Sequence, residues 1–163
     1  MADAEFVAFY RGEMPAVVRH VLNQGAGEQE AVDAAQTAFV QAYQAWETIS
    51  HPRAWVRTVA TRAFLRALPW SREIPADNSV VEDAIAGPVI GKVEFCTEEQ
   101  TVLEALAALP HRQREAMAWH FDGFTPAEIA EMLGTNSAAV RQSLARARRN
   151  LAQRLGTTER HAG

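Results

Sequence analysis

The residues best suited to chemistry lie near the C-terminal end of the sequence, where arginines and a glutamine recur at helical spacing. From Asn136 to about Leu155 the pattern predicts one helix, with Asn136 as its N-cap. Wound at about 100° per residue, it places Val140, Leu144, Ala147, Leu151 and Leu155 on a narrow apolar stripe. The opposite side shows Ala138, Arg141, Gln142, Ala145, Arg146 and Arg149. An arginine offers two parallel hydrogen bonds to the major-groove edge of guanine, and glutamine does the same for adenine. Arg141, Gln142 and Arg146, in the turns that enter a groove deepest, are candidate base readers, with Asn136, Ser137, Ala138 and Ala145 lining the same face. Arg149 lies further along and suits phosphate, which positions a protein without carrying sequence information.

The preceding residues must hold that helix in place. Thr125-Pro126-Ala127-Glu128 reads as a capping box with proline at the first helical position. Ile129, Met132 and Leu133 supply a core stripe, and Gly134 is suited to a left-handed helix stop. Two short helices joined by about three residues including glycine form a helix-turn-helix. A solvated basic face on an ordinary bundle is the bland alternative. Here the cap, the turn, the inward stripe and the acid-free outer face coincide, which favours a DNA reader.

Charge is distributed to the same effect. The formal net charge is −4, but residues 1–72 carry seven Arg and seven Asp or Glu. Residues 73–98 carry six acids against Lys92, and the stretch 132–158 holds five Arg and no acid. The whole chain reads as all-α, in two small helical domains joined by an acidic linker. The expected boundaries are 1–70, 71–96 and 97–163. In the first domain we expect a helix carrying Phe6, Phe9 and Tyr10, and a second beginning around Pro15. A long helix from Glu28 to Trp46 buries Val32, Ala35, Phe39, Ala42 and Trp46, and presents Asp33, Gln36, Thr37, Gln41 and Gln44 outward. Pro52 opens a further helix that runs to about Leu68. Trp46 and Trp55 read as core residues.

Other chemistries find little support. Cys96 is the only cysteine and has no CxxC companion, and His20, His51, His111, His120 and His161 show no metal-ligand spacing, so neither metal nor cofactor is expected. No nucleophile stands at a meaningful spacing from a base, and no glycine loop suits a phosphate, so the sequence does not read as an enzyme. There is no apolar run long enough to span a bilayer and no secretory signal, which points to a cytoplasmic protein without membrane insertion. A stand-alone helix-turn-helix regulator, and a helical protein that binds other proteins without reading DNA, are the alternatives. The strands that a receiver domain requires are missing from residues 1–68.

Three segments resemble conserved region 4 of bacterial sigma factors: Leu106-Ala-Ala-Leu-Pro-His-Arg-Gln-Arg-Glu115, the run Gly123–Gly134, and Val140-Arg-Gln-Ser-Leu-Ala-Arg-Ala-Arg-Arg149. Glu30-Ala-Val-Asp33, Gln36-Thr-Ala-Phe39 and Pro52-Arg-Ala-Trp-Val56 are similar to region 2 of the extracytoplasmic-function group of the sigma-70 family. The resemblance implies a promoter-specificity subunit that docks on the β′ and β subunits of core RNA polymerase and contacts promoter DNA. It implies that Asp33, Gln36 and Gln41 face polymerase, and that Arg57, Arg62 and Arg66 meet the −10 element. It also implies that the helix from Asn136 to Arg149 reads the −35 element, and that an anti-sigma factor or other regulator is a partner. The sequence departs from the usual pattern at several positions. Arg62 replaces an Asn, Pro69-Trp70-Ser71-Arg72 replaces a basic cluster, and Ala139 and Ala145 replace larger recognition-helix residues.

Overall fold

The computed structural model describes residues 2–68 and 97–162, with side chains described over 2–68 and 98–156. The acidic linker expected over 71–96, together with Trp70 and Cys96, lies outside the described residues. Within them the regular elements are all helical. The N-terminal bundle comprises α1 (Ala2–Leu22), α2 (Glu28–Gln44), a 3-10 turn (Trp46–Thr48) and α3 (Pro52–Ala67). The C-terminal bundle comprises α4 (Thr97–Ala107), α5 (His111–Phe121), α6 (Pro126–Leu133) and α7 (Ser137–Ala162).

The break expected before Pro15 does not occur, because α1 runs through it as one helix. Proline there removes one intrahelical hydrogen bond, but Arg11, Gly12 and Pro15 are all exposed, so water can reach the orphaned carbonyl. Phe6, Phe9, Met14, Val17 and Val21 meanwhile keep one continuous face against the core. A break would take half of that face away. The second departure is smaller: α2 stops at Gln44, and Trp46 lies in the 3-10 turn. From there its ring packs at 5.4 Å from Phe6 and 5.1 Å from Phe9. Val32 is only half-buried, and the buried stripe of α2 is Ala31, Ala34, Ala35, Ala38, Phe39 and Ala42. Small residues on that stripe let α1 and α3 approach closely, and Phe39 and Phe64 fill the space between them. Trp55 packs against the same core, as its spacing predicts.

The helix starts and stops follow local chemistry. Glu30 accepts a hydrogen bond from the Gly27 backbone N–H at 2.7 Å and so closes the entry to α2. Pro52 stands at the first position of α3. In the C-terminal bundle, Leu106, Leu109, Met117, Trp119, Ile129, Val140 and Leu144 form one core against which α7 packs.

Candidate nucleic-acid interface

The α6–α7 unit is fixed by short-range hydrogen bonds at each junction. Thr125 Oγ1 accepts from the Glu128 N–H at 3.2 Å, and Glu128 Oε1 accepts in return from the Thr125 N–H at 3.0 Å. That reciprocal box satisfies two donors that a helix start leaves orphaned. The Thr125 backbone N–H also holds the Glu128 carboxyl below the ordinary carboxylate range. At the other end Gly134 adopts φ +69°, and the Thr135 N–H returns to the Ala130 carbonyl at 2.9 Å. Asn136 Oδ1 then accepts from the Ala139 N–H at 2.8 Å and starts α7. Every residue in this chain of caps contributes through a partner no more than five positions away.

With the turn fixed, the faces of α7 follow. Val140, Leu144 and Ala147 are buried and Leu151 packs against the same core. Asn136, Ala138, Arg141, Gln142, Ala145, Arg146 and Arg149 are exposed, and Ser137 is half-buried at the helix start. The structure therefore brings the sequence-derived DNA-facing residues onto one open surface. Arg148 is turned away from it, with Nη2 3.4 Å from Nε2 of His120 on α5. Arg154 lines a groove between α4 and α7 with Thr101, Glu104 and Gln153, so it too belongs to a different surface.

In the N-terminal bundle Asp33, Gln36, Gln41 and Gln44 are exposed along the outer face of α2. Asp33 is steadied by Gln29, whose Nε2 donates to Oδ1 at 2.9 Å. On α3, Arg62 and Arg66 are exposed. Arg57 is not, and here the expectation of an open cation on α3 is corrected. Its side chain is 1% exposed, with Nη1 2.9 Å from Glu13 Oε2 and Nε donating to Asp122 Oδ2 at 2.8 Å. Asp122 comes from the other bundle, and the same oxygen lies 2.7 Å from Nδ1 of the fully buried His20. Burial is the largest influence on the His20 ring and lowers its proton affinity, so at neutral pH the ring is uncharged and Nδ1–H donates to Asp122. Burial alone raises the Asp122 carboxyl. The hydrogen bonds from His20 and Arg57, with the charge of Arg57, outweigh that and hold it below the ordinary carboxylate range.

Sequence reasoning did not find Glu13, His20 or Asp122. One signal was present: His20 falls three residues after Val17 on the apolar stripe of α1, where an unpartnered imidazole is costly to bury. Its partner lies 102 residues away, and no local pattern names it.

Comparison with known proteins places this geometry. The family description "Sigma-70 region 2" matches residues 9–69, and "Sigma-70, region 4" matches residues 99–151. The chain belongs to the sigma-70 family. Its region 2 is the N-terminal bundle, and its region 4 is the C-terminal bundle with the helix-turn-helix. Among curated relatives, the extracytoplasmic-function (ECF) sigma factor SigJ of Mycobacterium tuberculosis is 30% identical over 151 residues, covering 84% of this chain and 48% of SigJ. The ECF sigma factor SigM of the same species is 30% identical over 132 residues, covering 78% of this chain and 65% of SigM. These relatives put the chain in the ECF branch. The chain spans between about a third and two thirds of the length of the curated relatives it matches. In fold it is similar to the sigma factor RpoE of Bartonella quintana, solved in complex with the anti-sigma factor NepR. The TM-score is 0.76 at 20% identity, over 93% of this chain and 97% of that one.

Proposed function

We propose that this chain is a promoter-specificity subunit of RNA polymerase, binding the core enzyme and directing initiation at promoters with matched −35 and −10 elements. The observation that carries the reading is the open arginine face of α7 from Ala138 to Arg149, a stretch without acids, held by a fully capped helix-turn-helix in a chain that also carries region 2. On this reading Arg141, Gln142 and Arg146 meet base edges of the −35 element, Arg149 meets phosphate, and Asn136, Ser137, Ala138 and Ala145 shape the contact. The outer face of α2, with Asp33, Gln36 and Gln41, meets the core enzyme, and α3 meets the −10 element. The β and β′ subunits of core polymerase and promoter DNA are the partners, and an anti-sigma protein is a third, since RpoE is found with one. The protein acts by binding, not by catalysis, and its place is where the polymerase is, in the cytoplasm. A stand-alone helix-turn-helix regulator leaves the region 2 match without a purpose.

The polymerase contact is tested by co-purification with core enzyme. Asp33→Ala with Gln36→Ala removes polar groups from an exposed helix face, so helical content stays the same while affinity for core falls. Unchanged affinity removes these two residues from the interface.

A further inference from the structure

Arg57 is one of the cations that the resemblance assigns to −10 DNA, yet in this structure its guanidinium is closed off by the other domain. Asp122 is the C-cap of α5, where the negative end of the helix dipole disfavours a carboxylate. What offsets that placement comes from region 2: the Nε of Arg57 at 2.8 Å and Nδ1 of His20 at 2.7 Å. Arg53 adds a hydrogen bond from Nη2 to the Asp122 carbonyl at 3.2 Å and stands 5.2 Å from the centre of the Phe124 ring. Arg57 stands 5.9 Å from the same ring. Trp119, 4.6 Å from the His20 ring and 5.1 Å from Phe124, covers the cluster. Nearby, a Cβ on Gly25, at φ +99°, would stand 3.1 Å from Nη1 of Arg114, so the α1–α2 turn itself lies tight against region 4. A surface loop is ordinarily wet, but Asn23, Gln24, Gly25, Ala26 and Gly27 are all buried.

We propose that this contact is an autoinhibitory latch, in which the Asp122 carboxylate of region 4 takes the place of a DNA phosphate at Arg57 and keeps region 2 from −10 DNA until the two domains part. The inference rests on the sigma-factor reading of region 2. A carboxylate and a phosphate oxygen offer a guanidinium the same charge-assisted hydrogen bond, so a phosphate takes the Nε–H of Arg57 only once Asp122 has left it, while Nη1 stays with Glu13 of region 2. Leaving Asp122 also strips His20 of its acceptor, which makes the exchange a movement of the whole domain. If the closed form holds about nine-tenths of the free chain, apparent affinity for DNA at region 2 falls about tenfold.

The test uses the full chain without polymerase, as wild type, Asp122→Asn and Asp122→Asn with Arg57→Gln. Small-angle scattering reads closure, and fluorescence anisotropy reads binding of a labelled single-stranded DNA of mixed sequence. A compact chain of this length has a radius of gyration of about 15 Å. The latch requires a larger radius for Asp122→Asn and about tenfold tighter DNA binding, with Arg57→Gln abolishing the gain. Wild-type radius and affinity in Asp122→Asn overturn the latch, and a larger radius with unchanged affinity overturns the masking of Arg57. His20→Gln loosens the same contact from region 2 and must act in the same direction, which keeps the test decisive if Asp122→Asn misfolds. The sigma reading is judged separately, by whether the wild type with core polymerase initiates at promoters. Scattering still decides closure if it does not.

Discussion

Arg141 and Arg149 share the exposed face of α7 but stand about two turns apart, and on the proposed function they meet different parts of a duplex. Arg141 lies in the second turn of α7, which on that reading enters the groove deepest. A two-bond contact there discriminates against the wrong base by about 1–3 kcal/mol. Arg141→Ala therefore lowers promoter use and relaxes the preference at one −35 position. Arg149→Ala weakens binding to all sequences alike and reduces the salt slope by about one unit. Measuring both variants against a −35 library at several salt concentrations separates these roles. A uniform loss for Arg141→Ala, with base preferences intact, makes it a phosphate contact. A second residue-scale prediction concerns Glu115 on α5, whose carboxyl is raised to about 7 by burial against the opposing pull of Arg112 and Arg114. Its neighbour His111, at 3.5 Å, is lowered to about 4 by burial and by the same two arginines, so the pair is not ionic at neutral pH. A folded value raised above the ordinary one means that the native state holds its proton longer, so the stability due to protonated Glu115 is present below about 4.5 and lost as pH rises through 7. Glu115→Gln removes that loss. The variant should be more stable than wild type by about 1–3 kcal/mol at pH 8, with the advantage shrinking as pH falls towards 4.5. Denaturant titrations at several pH values measure it, and a pH-independent difference rules this account out.

At the scale of elements, α6 and α7 owe their positions to caps that the sequence states almost literally. Thr125, Pro126, Glu128, Gly134 and Asn136 were legible because each works through backbone groups within one helical turn or so. Their removal has definite costs. Thr125→Ala destabilises region 4 by about 1 kcal/mol. Gly134→Ala costs about 1–2 kcal/mol for a side chain in the left-handed conformation, with no steric contribution because nothing lies within 4 Å of the added Cβ. Thermal melting of the full chain checks both, and a neutral Gly134→Ala removes the conformational argument. The element that sequence reading divided, α1, shows the limit of local rules. Proline at 15 is a breaker by propensity, and the continuous apolar face from Phe6 to Val21 overrides it. The position of Arg57 was illegible for a related reason. Its identity and its place on α3 follow from sequence, but the carboxylate that buries it lies 65 residues away on the far side of the linker.

For the molecule as a whole, the net charge of −4 gives no hint of DNA binding, and the asymmetry does. The acid-free arginine stretch of α7 from Ala138 to Arg149 favours phosphates locally while the chain before it is neutral or acidic, so binding by the free chain is expected to be weak and steeply salt-dependent. On the proposed function, polymerase would supply the missing affinity by holding region 2 and region 4 over the two promoter elements at once, which would make the second contact effectively intramolecular. The most direct measurement of that claim is in vitro transcription with core RNA polymerase, with and without this protein, over a library of promoters. The account predicts new transcripts from a subset sharing a −35 and a −10 sequence, and loss of that subset with Arg141→Ala. Transcripts identical with and without the protein would contradict it.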